Sequence, residues 1–114
     1  MDIDELRRIV TDFRDERDWK KFHNPKDLAI SIAIESMELL EHFQWKSVEE
    51  VYEVVESRVD SIRDEIADIA IYLLSLVDIL DIDLSEAIVE KVKKNAEKYP
   101  VEKSKGRADK YTEL

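Results

Sequence analysis

Two stretches of this chain carry matching acidic pairs. Glu35 and Glu38 lie in IAIESMELLEHFQW (32–45), and Glu65 and Asp68 lie in DEIADIAIYLL (64–74). Residues three apart share one face of a helix. On a helical wheel Ser31, Glu35, Glu38 and His42 form a narrow polar stripe, walled by Leu28, Ile32, Leu39 and Phe43 on one side and Ile30, Ile34 and Met37 on the other. Ser61, Glu65, Asp68 and Tyr72 repeat the plan between Ile62, Ile69 and Leu76 on one side and Ile71 on the other. Carboxylates are seldom buried without a partner. If the stripes face each other, the four repel one another and take up protons unless cations neutralise them. Hard oxygen donors in this number suit Mg²⁺, with Mn²⁺ as the alternative, and not Zn²⁺. Mg²⁺ usually keeps positions for water and substrate phosphate. Glu41 lies at the stripe's edge, as a rim ligand or a surface residue. The competing reading is two solvated acidic faces, which a chain with 28 acidic residues readily supplies.

Four predicted helices position these groups. The first spans about Asp2 to Lys20, with Ile3, Leu6, Ile9, Val10 and Phe13 on one stripe. Asn24 is a good N-cap and Pro25 a good first helical residue, so the second runs from there to about Trp45. Ser47 to Glu50 reads as a capping box. The third helix starts there and continues to about Leu80, with a break near Ser57, where Ser57 or Ser61 caps a new start. Asp83 with Glu86 opens the fourth, which ends at about Lys98 because Pro100 forbids continuation. Helix two is apolar almost all round, so it needs cover on several sides. The expected architecture is an all-α four-helix bundle assembled as an oligomer, a symmetric dimer at minimum. Residues 1–100 form the expected domain and 101–114 a C-terminal tail.

Composition agrees. The 114 residues are 44% apolar and 40% charged, with one Gly and two Pro, which leaves little chain for turns and favours long helices. There is no Cys, which excludes disulfides, zinc–thiolate sites and thiol nucleophiles. The net charge of −10 argues against general nucleic-acid binding. The longest apolar run, Ile69 to Val77, is too short to span a bilayer. No signal peptide is recognised, and the expected location is the cytoplasm.

Trp19, Phe22, His23 and Trp45 lie at the borders of the acidic helices. A nucleobase needs flat apolar walls and a few polar groups at its edge. The plainer reading makes the aromatics core anchors and lets His23 satisfy local backbone groups. Lys91, Lys94, Asn95 and Lys98 share a face of the fourth helix. They are either a phosphate clamp or cations favoured by the helix C-terminus.

Taken together, ERDWKKFHNPKDL (16–28), ESMELLEHFQW (35–45), DEIADIAIYLL (64–74) and KNAEKYPVEKSKGRADKYTEL (94–114) resemble the all-α nucleoside triphosphate pyrophosphohydrolases of the MazG-like group, and within it the dCTP pyrophosphatase branch. The likeness runs from about Asp12 to Leu114. The resemblance implies cleavage between the α- and β-phosphates, giving a monophosphate and pyrophosphate, with Glu35, Glu38, Glu65 and Asp68 as Mg²⁺ ligands. It implies a base pocket from Trp19, His23 and Trp45, with Tyr72 nearby. It places Lys91, Asn95 and Tyr99 at the phosphates, and Lys98 joins them as part of the same cationic face. The basic tail is expected to fold over a bound triphosphate or to stay disordered without it. The assembly implied is a tetramer built as a pair of dimers. SIAIESM (31–37) departs from the Gly-containing context usual around the first pair, but removes no ligand. Water activated at the metal is the expected nucleophile, with Glu35 or Glu38 as the proton acceptor.

Two other classes compete. A redox or storage di-metal bundle would use Glu-x-x-His, and neither His23 nor His42 has a Glu three residues before it. A non-enzymatic helical metal-binding or interaction protein would need no acidic stripes in apolar surroundings and no aromatic rim.

Overall fold

Helix starts in this chain are set by short polar side chains. In the structure, a computed structural model describing all residues from Met1 to Leu114, Asp2, Asn24, Ser47 and Asp83 each accept a hydrogen bond from the backbone N–H three residues on, at 2.8–3.2 Å. They open α1 (Ile3–Glu16), α2 (Pro25–Glu41), α3 (Val48–Ser57) and α5 (Leu84–Lys98). Ser47 also donates to Glu50 Oε1 at 3.1 Å, so the predicted capping pair is present. α4 (Val59–Ile79) follows α3 after a break at Arg58, which ends one helix and starts the next. The predicted break is there, but Ser57 does not cap it: its hydroxyl donates back to Val54 O at 3.2 Å. No strand forms anywhere.

Two helices stop earlier than periodicity predicts. α1 ends at Glu16 because Asp18 turns left-handed, with φ 55°, and a 3-10 turn, Lys20–Phe22, leads to α2. α2 ends at Glu41, and the turn after it closes with Trp45, also left-handed at φ 66°. The chain beyond Pro100 is not featureless. It forms a short helix, α6 (Val101–Ser104), and a 3-10 turn, Tyr111–Glu113.

The structure divides into two compact units, Met1–Asp81 and Ile82–Leu114. In the first, α4 is the hub: α2 packs along it, and α1 and α3 also pack on it. The fully buried apolar residues are few: Leu28, Val54, Ile62, Leu74 and Val77. On α1 the predicted apolar stripe is not the buried side. Leu6, Ile9 and Phe13 are about half exposed, while Arg14 is 3% exposed. Arg7 and Arg14 both reach Asp78 of α4, at 3.5 and 2.8 Å, and these ion pairs help set which side of α1 faces inward. In the second unit, Tyr99 meets Tyr111 edge-on at 6.0 Å and Lys98 Nζ lies 5.0 Å from the Tyr111 ring, tying the tail to the end of α5. No helix is long and apolar enough to cross a membrane.

Candidate active site

α2 and α4 bring the two acidic pairs within electrostatic reach. The carboxyl of Glu35 is half-buried. Partial loss of water raises its pKa first; a hydrogen bond with Glu38 and the charges of Glu38, Asp68 and Glu65 raise it further. One carboxylate therefore senses the other three. No three acidic or imidazole groups close into a ready coordination shell. The donor set is all hard oxygen, which fits Mg²⁺.

Glu65 has a neighbour that sequence reading placed only on the same kind of stripe. His42 Nε2 lies 2.7 Å from Glu65 Oε2, close enough for an ion contact but without hydrogen-bond alignment. On the ring's other side Arg58 Nη1 stands 3.5 Å from Nδ1. Glu38, Glu41, His42, Arg58 and Glu65 together line an open cavity of about 460 Å³.

A second cavity, of about 250 Å³, opens between α1, the turn before α2, and α4. Trp19, His23 and Tyr72 line it, as does Asp68 of the second acidic pair. The Trp19 ring is held edge-on to Phe13 at 5.7 Å, and the Trp19 backbone N–H donates to Arg14 O at 3.1 Å. His23 Nδ1 is buried with no partner. Burial, then the Arg14 charge, lowers the His23 pKa and holds the ring neutral near pH 7. Trp45 does not line this cavity; the residue is 91% exposed. Lys91, Asn95, Lys98 and Tyr99 lie on α5 and at its end, in the second unit, all exposed to solvent.

Sequence reading missed Arg14 and Ser75. Arg14 lines the second cavity and Ser75 is 2% exposed beside it, its hydroxyl donating to Ile71 O at 2.9 Å. The only signal was that Ser75 and Arg14 interrupt otherwise apolar or solvated patterns.

Comparison with known proteins adds an independent line. The MazG-like family model matches residues 30–114, which contain both acidic pairs. The chain belongs to the MazG-like family. Two relatives are named dCTP pyrophosphatase 1: that of Bos taurus is 39% identical over 98% of this chain and 68% of that protein, and that of Homo sapiens 34% over 98% and 67%. A pyrophosphatase of known crystal structure from Archaeoglobus fulgidus is 51% identical, with a TM-score of 0.82 over 85% of this chain and 91% of that one. α2 and α4, which pack on each other, carry both acidic pairs. In this MazG-like chain, the aromatic cavity shares Asp68 with the acidic site.

Proposed function

We propose that this chain is a Mg²⁺-dependent nucleoside triphosphate pyrophosphohydrolase that converts dCTP, or a related nucleotide, to its monophosphate and pyrophosphate. The observation that carries this reading is that Glu35 senses Glu38, Glu65 and Asp68 across two helices, with an aromatic cavity reached from Asp68. Family membership and relatives named dCTP pyrophosphatase 1 support the reaction and the base.

Glu35, Glu38, Glu65 and Asp68 would hold Mg²⁺, with Mn²⁺ as a substitute. When bound, the metal supplies charge neutralisation for the triphosphate and Lewis-acid activation of water. Glu35 or Glu38 takes the proton from the attacking water. Trp19, His23 and Tyr72 enclose the base. Trp45, exposed in a single chain, would join them only through movement or a second copy. Lys91, Asn95, Lys98 and Tyr99 would neutralise charge developing on pyrophosphate.

Assembly belongs to the same reading. Along α2, Ile30 and Ile34 are each 49% exposed, Met37 61% and Leu40 64%. An apolar stripe of this extent needs cover, and a second copy would complete the helical bundle, as a dimer or a pair of dimers. We take residues 1–100 as the domain and the remainder as a tail that acts on substrate. A chain without Cys whose substrates are nucleoside triphosphates suits the cytoplasm.

The test is pyrophosphate release across all ribo- and deoxyribonucleoside triphosphates, with Mg²⁺ and with EDTA. Release that needs Mg²⁺ and is fastest with dCTP is expected. No release from any nucleotide would leave a non-enzymatic helical protein as the better description.

A further inference from the structure

Two buried polar atoms beside the acidic site have no hydrogen-bond partner in the chain: Nε2 of His42 and Oε2 of Glu65. They lie 2.7 Å from each other. A buried donor or acceptor left unanswered costs free energy, and the group within reach of each atom is the other. The ring and the carboxylate are out of line for a hydrogen bond. The last torsion of a glutamate is soft, so a turn of the carboxylate answers both atoms at once.

The elements bring the two side chains together. His42 ends α2, and Glu65 lies on α4, which packs along it. Arg58 stands seven residues before Glu65, about two helical turns back, and its Nη1 is 3.5 Å from Nδ1 of the ring. A guanidinium only donates. Nδ1, which faces it, is therefore the accepting nitrogen, and the ring hydrogen sits on Nε2, towards Glu65. The His42 and Glu65 side chains are 14% and 19% exposed, so water competes little for the contact. The contact takes up one carboxylate oxygen, and Oε1 makes no hydrogen bond or ion pair with the protein. Both residues line the 460 Å³ cavity with Glu38, a carboxylate of the other acidic pair.

We propose that His42 is a positioning residue: its Nε2–H holds Oε2 of Glu65 and fixes the carboxylate, leaving Oε1 to serve the divalent cation. The assignment rests on the reading of Glu65 as a metal ligand and adds to it the residue that orients that ligand. An unheld glutamate gives up rotamer freedom when it binds a cation. His42 orders it before the cation arrives, which tightens binding. If His42 only tied the end of α2 to α4, its loss would lower Tm and leave the metal affinity of the folded protein unchanged.

The experiment titrates Mn²⁺ without nucleotide into the wild type, His42→Gln and His42→Leu at one pH, reading bound metal by calorimetry and by loss of the free-ion electron paramagnetic resonance signal. Glutamine keeps an N–H near the place of Nε2; leucine keeps bulk without a donor. His42→Leu should bind Mn²⁺ about 10- to 100-fold more weakly, the range for groups that hold a metal ligand in place, and His42→Gln should recover most of that loss. Unchanged affinity in a folded His42→Leu protein overturns the assignment, and so does an equal loss in both variants. A measurement on the wild type stands even if neither variant folds: long-range ¹H–¹⁵N correlation of the His42 ring should find the hydrogen on Nε2, and a bare Nε2 overturns the assignment. Mn²⁺ binding that all three proteins share removes the role of His42 and leaves the metal site intact. No Mn²⁺ binding by the wild type removes both.

Discussion

Glu35 and Glu38 carry the sharpest residue-scale consequences. On the proposed reading, replacing Glu38 by Gln removes a metal ligand, and with it the group hydrogen-bonded to Glu35. Turnover should fall to background while circular dichroism shows the helices intact. Near wild-type activity in a folded Glu38→Gln protein would remove the acidic pairs from the chemistry. The raised pKa of Glu35 also links pH to stability. A carboxyl whose folded pKa lies above its ordinary value favours the fold while it is protonated. That contribution is complete below the ordinary value of 4.5 and is lost as pH rises through the raised one. In EDTA, thermal stability should therefore decline from mildly acidic pH towards neutrality, and Glu35→Gln should flatten the decline. A wild type and variant with parallel pH profiles would mean that the four carboxylates do not interact.

At the scale of elements, α1, α2, α3 and α5 each start on one side-chain cap, while α4 starts without one. Asn24 accepts from Asp27 N at 2.9 Å and orients the start of α2 beside His23. Asn24→Ala should cost about 1 kcal/mol, on the order of 4 °C in Tm for a domain of this size. No change in Tm would mean that tertiary contacts alone hold α2 in place. These caps are also why so much of the fold is legible in the sequence. Asp83 and Pro100 bound α5 with local signals that need no tertiary context. The ends of α1 and α2 are not legible, because Asp18 and Trp45 turn left-handed and neither is a glycine. The acidic pairs are legible because three-residue spacing is itself a geometric statement. Arg14 is not: its burial depends on Asp78, 64 residues away, and an arginine between polar neighbours otherwise reads as solvated. Trp45 shows the converse. Its place beside an acidic helix points to a base wall, and in the single chain it faces solvent.

For the molecule as a whole, two binding events should be visible as stability. On the proposed reading, Mg²⁺ binds the folded carboxylate set and not the unfolded chain. Saturation at a hundredfold over Kd should add about 2.7 kcal/mol, read as a higher Tm in Mg²⁺ than in EDTA. Identical melting curves would favour two solvated acidic faces. The second is the proposed self-association. Met37 and Leu40 flank an open groove on α2 with Glu41 and Gln44. A charge at its centre, Leu40→Glu, should shift light scattering towards a smaller species and remove any dependence of Tm on protein concentration. An unchanged mass would exclude this stripe from the interface.

Trp45 combines two burdens: a bulky aromatic residue 91% exposed and a backbone at φ 66°. Glycine relieves the second, worth roughly 1–2 kcal/mol for a left-handed residue before its own chain entropy is charged against it. Selection for heat resistance alone should thus discard this tryptophan early. Libraries randomised at position 45 and sorted after heating should enrich glycine, while sorting on dCTP turnover should restore the aromatic. Enrichment of glycine under both pressures would mark the ring as dispensable; opposite outcomes would make position 45 a direct measure of how much robustness this protein forgoes for its activity.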